Sequence, residues 1–283
     1  MRKISKEYPV IAWWSGGIAS AVTCHLCIEW FGADNVRVIF IETNNEDDDT
    51  YRFKSECEVW YGKEIESITN PNYKNIQEVW YKHLSLNVAG GAVCSSQLKR
   101  EARIAFERDN NYSFQAFGFD IEEVKRAKGL KINNPKAKPI FPLISELMTK
   151  DDCVSYIKAN NTLFHPLRFP RAYMVGYRNN NCFQTGCVQG GIGYWQKIAK
   201  EYPDKLNAMA KIEHDLTEVK GKPTTVLKNS RGLVFLKRNP NYPEIPELSE
   251  VEGKEVLPLV ECNGFCGMED IEPNPTLREL NFE

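Results

Sequence analysis

Short apolar runs alternate with helical patterns through the first 160 residues, and this alternation restricts the fold more than any other feature. Residues 9–14, 36–43 and 114–119 read as buried strands, and 64–68 as a shorter one. Between them, residues 18–31, 47–61, 76–84 and 95–108 carry helical spacing. A helix between successive strands implies a parallel sheet covered on both faces. The expected class is therefore α/β, with a Rossmann-like, doubly wound sheet. Ligands of such sheets sit at the carboxyl ends of the strands, where the strand order reverses.

The alternation fails beyond about Asn161. Asn, Gly and aromatic residues crowd 179–195, and 203–219 then forms an amphipathic helix with Leu206, Met209, Ile212, Leu216 and Val219 on one stripe. The tail from Asn241 is acidic and carries five of the 15 prolines. Two domains are expected: an α/β nucleotide-binding domain over 1–160, and a mostly helical or irregular cysteine-bearing region over 161–283. No internal repeat or low-complexity tract is present.

Composition excludes several classes. The 36 Lys+Arg against 38 Asp+Glu give a net charge of -2, so nucleic acid, if bound, must be met by a local patch. No apolar run approaches the ~20 residues of a membrane span, and residues 1–6 are polar without a signal-type stretch. A cytoplasmic chain that meets no membrane is expected. Nine cysteines, an odd number, argue against a disulfide framework and for metal or redox chemistry.

The strand-to-helix turn Ser15-Gly16-Gly17-Ile18-Ala19-Ser20 directly follows the first strand. Two glycines let the backbone turn tightly and approach a ligand. The helix N-terminus offers unpaired N–H groups and a positive dipole end, and Ser15 and Ser20 add hydroxyls. The bland reading is an ordinary turn; its place at the first strand's carboxyl end favours a pyrophosphate cradle.

The S-G-G-x-x-S pattern resembles the signature of the PP-loop adenine-nucleotide α-hydrolases, and more of the chain resembles their phosphoadenylyl-sulfate (PAPS) reductase branch. Gly118-Phe119-Asp120-Ile121-Glu122-Glu123-Val124-Lys125-Arg126 is similar to that branch's G-x-R-x-x-E-S-x-x-R segment. Pro139-Ile140-Phe141-Pro142-Leu143, with Thr149-Lys150-Asp151-Asp152 and Tyr156-Ile157, is similar to its P-L-x-x-W-T-x-x-D-V-x-x-Y-I segment. Gly176-Tyr177-Arg178-Asn179, leading into Cys182, resembles the stretch before its cysteine pair. The resemblance implies a HUP-type Rossmann-like fold and a nucleotide held by the loop and Gly118. Ala19 stands where many pyrophosphatases have Asp, and Asp120 replaces an arginine. Both loop glycines are present, whereas the sulfonucleotide reductases carry a modified loop, their substrate having no β,γ-pyrophosphate to hold. The intact loop points to ATP with Mg²⁺.

Cys182 and Cys187 form a C-x4-C pair, Cys262 and Cys266 a C-x3-C pair. Glycines 186, 264 and 267 relieve the backbone so that the four thiolates can meet one tetrahedral zinc ion or a 4Fe-4S cluster. Such a centre would also tie down the proline-rich tail. Cys94, in Cys94-Ser95-Ser96-Gln97-Leu98-Lys99, resembles the C-C-x-x-R-K segment of cluster-bearing adenylyl-sulfate reductases. That makes Cys94 a fifth ligand candidate or a reactive thiol whose thiolate Lys99 favours. Glu261-Cys262 echoes the reductases' E-C-G-x-H nucleophile, but no His follows. Cys24, Cys27, Cys57 and Cys153 read as helix-face core residues. His25, His83, His165 and His214 show no ligand spacing, and Trp13 and Trp14 read as strand residues.

The acidic run at 45–49 is either a Mg²⁺ site or, more simply, an acidic helix N-terminus. Lys125, Arg126, Lys128, Lys131, Lys136 and Lys138 form a basic run, open to a phosphate-bearing ligand or to solvent. Three functions follow. The first is an ATP pyrophosphatase that adenylates an acceptor for sulfur transfer, as resemblance to nucleic-acid thiolating enzymes implies, with Lys99 and Arg126 neutralising developing charge. The second is a sulfonucleotide reductase. The third is an inactive nucleotide-binding partner protein stapled by a metal. The partners expected are a nucleotide, a nucleic-acid or small-molecule acceptor, a sulfur- or electron-donor protein, and a second copy of the chain in a homodimer.

Overall fold

A computed structural model describes residues 4–88, 91–161, 167–177, 180 and 182–253. Strand β1 (Val10–Trp14) leads into helix α1 (Ile18–Phe31), followed by β2 (Val36–Ile41), α2 (Asp48–Tyr61), β3 (Ile65–Ile68) and α3 (Ile76–His83). A small hairpin, β4 (Asn87–Val88) and β5 (Gly91–Ala92), precedes a π-helical segment, Ser95–Arg100, and α4 (Glu101–Asp109). Then come β6 (Phe114–Ala116), α5 (Val124–Asn133), β7 (Pro139–Ile140), α6 (Pro142–Ser145) and α7 (Lys150–Asn160). Helices α8 (Arg171–Met174), α9 (Ile192–Glu201) and α10 (Pro203–Lys220) and a hairpin of β8 (Leu227–Asn229) and β9 (Gly232–Val234) complete the described chain.

The main sheet has five strands in the order β3-β2-β1-β6-β7, all parallel. This is the expected Rossmann-like α/β sheet, and its order reverses between β1 and β6. Alternation along β1 builds two cores. Val10, Ala12 and Trp14 pack with α1, α2 and α7, while Ile11 and Trp13 pack with Phe106 of α4 and Ala127 and Leu130 of α5. Because both faces are covered, β1 is buried at every position. Strand β6 ends at Ala116, earlier than its apolar run suggests, and the edge strand β7 was not foreseen. The helix expected over 95–108 begins as a π-helix and becomes α-helical only at Glu101; π segments are uncommon and concentrate at functional sites.

A third core lies outside the sheet. It joins Trp80 of α3, Cys94 just before the π segment and Leu98 within it to Trp195, Leu206, Met209, Ile212 and Leu216 of the helical C-terminal region. Most of the predicted α10 stripe is buried, but Val219, in the last turn, is exposed at 66%. Two polar residues are buried on this helix instead. Glu213 accepts hydrogen bonds from the Val226 and Leu236 N–H groups at 2.6 and 2.7 Å, and Thr217 Oγ1 accepts one from Thr224 N at 3.0 Å. These side chains serve the backbone on either side of the β8–β9 hairpin, which a hydrophobic period cannot reveal. No described helix is long and apolar enough to cross a membrane.

Candidate active site at the strand-order switch

The loop Ser15–Ser20 lies at the carboxyl end of β1, beside the strand-order reversal. Gly16 has φ +83, the left-handed region that glycine adopts without strain, and a Cβ there would stand 2.9 Å from Thr50 Cγ2. Gly17 caps α1 with no side-chain cap and no acidic residue in the first turn, so the helix's positive end keeps no local counter-charge. Ser20 Oγ donates to Gly17 O at 2.9 Å and accepts from Ser15 N at 3.0 Å, while Ser15 Oγ donates to Ser20 Oγ at 3.0 Å. The two hydroxyls thus hold the loop's shape from within.

Gly118, at the carboxyl end of β6, faces that same loop. A Cβ on it would lie 2.9 Å from both Ser20 Cα and Ser20 N. Its missing side chain is therefore what lets the first turn of α1 approach β6, and this close approach accompanies the early end of that strand. Asp120, the replacement for the family arginine, is buried and accepts from Glu122 N at 2.9 Å within a capping box. Arg126 pairs with Glu123 and lies 4.6 Å from the Phe119 ring centroid. Burial raises the Glu123 carboxyl above its usual range, against the charge of Arg126.

The C-terminal region closes over the loop. Asn180 Nδ2 donates to Gly16 O at 3.2 Å and to Thr50 Oγ1 at 2.9 Å, Tyr173 OH accepts from Ile18 N at 3.3 Å, and Asn45 Nδ2 donates to Thr185 Oγ1 at 2.9 Å. Lys205 of α10 sits 4.1 Å from the Phe183 ring centroid and 3.6 Å from Asp47, and burial lowers its pKa against that carboxylate. Sequence reading missed Asn180, Tyr173 and Lys205. Each acts across more than a hundred residues, and only the adjacency of Asn180 to the cysteine segment hinted at it. Asn180→Ala is expected to destabilise the fold by about 2 kcal/mol, because two buried acceptors lose their donor; a denaturant midpoint unchanged from the wild type would refute this.

The acids at 45–49 serve local structure. Asp47 caps α2 by accepting from Asp49 N at 3.1 Å, Glu46 accepts from Thr43 Oγ1 at 2.7 Å, and Asp49 pairs with Arg52 at 2.7 Å. Arg52 and the Arg171 N–H hold the Asp49 carboxyl below its ordinary value, although burial opposes them. The blander expectation, an acidic helix N-terminus, describes what these groups do.

Cys94, Cys182, Cys187 and Lys99 line one narrow cavity together with Ser95 and Gln189. The structure therefore brings together three thiols that are separated by up to 93 positions. Lys99 lines this cavity and is only 8% exposed. Cys182 has φ +53, a left-handed conformation that side chains rarely adopt and that functional sites often retain. The donor chemistry, three sulfurs in one cavity, fits a thiolate-bound centre. Yet among the described residues no three His, Cys, Asp or Glu side chains converge as a metal-holding group. Cys262 and Cys266 lie outside the described residues, as do Arg178, Asn179 and His165. Cys24, Cys27, Cys57 and Cys153 are fully buried, and burial pushes the Cys27 and Cys57 thiols far up, as inert core residues require. His25 stacks on Trp60 at 4.0 Å and bonds Tyr156 OH at 2.9 Å, a packing role.

No curated protein matches the chain. The family model of the phosphoadenosine phosphosulfate reductase domain matches residues 9–188, from the first residue before β1 to the one after Cys187. That span covers nearly two thirds of the sequence and holds the loop, Gly118 and the cysteine-lined cavity, so the chain belongs to the phosphoadenosine phosphosulfate reductase family.

Proposed function

We propose that the protein is an ATP pyrophosphatase of the PP-loop type that activates an acceptor for sulfur transfer. The observation that carries this reading is the intact Gly16-Gly17 turn, with Gly16 at φ +83 ahead of an uncapped helix N-terminus at the strand-order reversal. Such a turn presents backbone N–H groups to the β- and γ-phosphates. The acceptor oxygen attacks the α-phosphorus, the bond from that phosphorus to the bridging oxygen breaks, and pyrophosphate leaves. A sulfur nucleophile then attacks the carbon that bears the adenylated oxygen, and AMP departs with the electron pair of the C–O bond. Ser15, Gly16, Gly17, Ile18, Ala19 and Ser20 hold the pyrophosphate, and Gly118 lets the loop seat against β6. Lys99 and Arg126 supply positive charge near developing phosphate charge. Mg²⁺ arrives with the nucleotide, on its phosphate oxygens.

Cys182 and Cys187, with Cys94, Cys262 and Cys266 as the remaining candidates, would hold a 4Fe-4S cluster or a zinc ion. When bound, such a centre supplies a sulfur relay or a structural staple. The cavity shared by three thiols also favours a second reading, sulfonucleotide reduction. There a thiolate attacks the sulfate sulfur of PAPS, the nucleotide departs, and a thiol donor then releases sulfite.

A thermal-shift titration with ATP–Mg²⁺ and PAPS separates the two readings, since a ligand that binds the native state raises the melting temperature. Stabilisation by ATP–Mg²⁺ and not by PAPS is expected; the reverse makes the protein a reductase. Gly17→Val is expected to remove the ATP-induced shift, and full retention of that shift would refute the loop assignment.

A further inference from the structure

We propose that the outer face of α5 and the turn after it form a docking surface for the phosphate backbone of a nucleic acid. Residues 125–138 contain six Lys or Arg and no Asp or Glu, in a chain whose net charge is -2. The fold turns this composition into a surface. Ala127, Leu130 and Ala137 are buried against the sheet, which leaves Lys125, Lys136 and Lys138 exposed and Lys128 and Lys131 half-buried. At 1.5 Å per residue, the lysines from 125 to 131 span about 9 Å of helix, a distance on the scale of neighbouring backbone phosphates. Lys125, Lys136 and Lys138 form no ion pair among the described residues.

One end of the row lies near the active site, and Lys136 and Lys138 lie at the other, beside the amino end of β7. The row starts at the carboxyl end of β6, where Arg126 packs on Phe119, and the neighbouring Gly118 touches Ser20 of the phosphate loop. A strand bound along α5 would thus reach the crevice at its Lys125 end. An acidic protein would be drawn to the same charge, but a row of single lysines suits a repeating phosphate polymer, which releases counterions at each contact. This inference names the acceptor class for the pyrophosphatase reading and rests on it for the surface's role, though not for binding itself.

The test is fluorescence anisotropy of the full chain with a labelled 20-nucleotide single-stranded RNA and a 20-base-pair DNA duplex, across a salt series. Lys125→Glu/Lys136→Glu/Lys138→Glu is compared with the wild type, and a glutamine triple at the same positions guards against misfolding. For whichever polymer binds, affinity is expected to fall at least tenfold in the charge-reversed variant. The slope of log K against log salt is expected to flatten by about 2 to 3, near one unit per lost phosphate contact. ATP-induced stabilisation should persist in the variants, which separates failure of the surface from failure of the nucleotide site. Absence of wild-type binding to either polymer, unchanged affinity in both triples, or equal binding of polyglutamate would overturn the proposal.

Discussion

Gly118→Ala is expected to cost about 3 kcal/mol of folding stability and to eliminate ATP-induced stabilisation, because the added methyl meets backbone rather than a movable side chain. Its Cβ would fall 2.9 Å from Ser20 Cα and Ser20 N and 3.2 Å from Ala19 C. Atoms of a helix's first turn cannot rotate away, so either α1 slides off β6 or the β6 loop lifts. Both movements displace the phosphate loop that begins α1. Gly16→Ala differs in kind: its Cβ meets the end of the Thr50 side chain, which can shift, but φ +83 strains the backbone by about 1 kcal/mol. Guanidinium unfolding and a thermal-shift titration with ATP–Mg²⁺ check both variants. A Gly118→Ala protein with wild-type midpoint and wild-type nucleotide response would show that α1 does not depend on this contact.

The second large effect concerns Glu213, fully buried on α10 with two backbone donors. Burial outweighs those donors and pushes its carboxyl up to about 8. Between the ordinary carboxylate value and about 8, the folded state therefore holds a proton that the unfolded chain has released. Folding stability is expected to fall as pH rises through that window, approaching about 1.4 kcal/mol per pH unit from this group alone. Glu213→Gln removes the titration, so the variant's stability should depend less on pH than the wild type's between pH 5 and 8. Glu213→Ala should be worse at every pH, losing about 2 to 4 kcal/mol, since the Val226 and Leu236 N–H groups are left without acceptors. Urea unfolding at pH 5, 6, 7 and 8 measures both. Equal slopes for the wild type and Glu213→Gln would exclude Glu213 as the source.

The strands β1, β2 and β3, the helices α1 to α3 and the loop between β1 and α1 were legible because each is written in contiguous residues. A buried parallel strand needs an unbroken apolar run, and an amphipathic helix needs its period. Edge strand β7 has two residues, too few to carry a pattern. The strands of the two hairpins have only two or three residues each. The π segment at 95–100 has helical composition, and nothing in its spacing marks the wider winding.

The candidate site divides along the same line. Its glycine turn at 15–20 is local chemistry, set by the conformations that glycine alone permits, and the cysteine spacings are local too. The gathering of Cys94, Cys182, Cys187 and Lys99 around one cavity is not. Nor is the seating of Asn180 on Gly16, or the placement of Lys205 against Asp47. Local spacing determined which segments fold into strands, helices and a phosphate turn, because those depend on dihedral preference and periodic burial. Only the tertiary structure decided which distant side chains share a site, because that depends on how two cores on the faces of the sheet and a third outside it pack together.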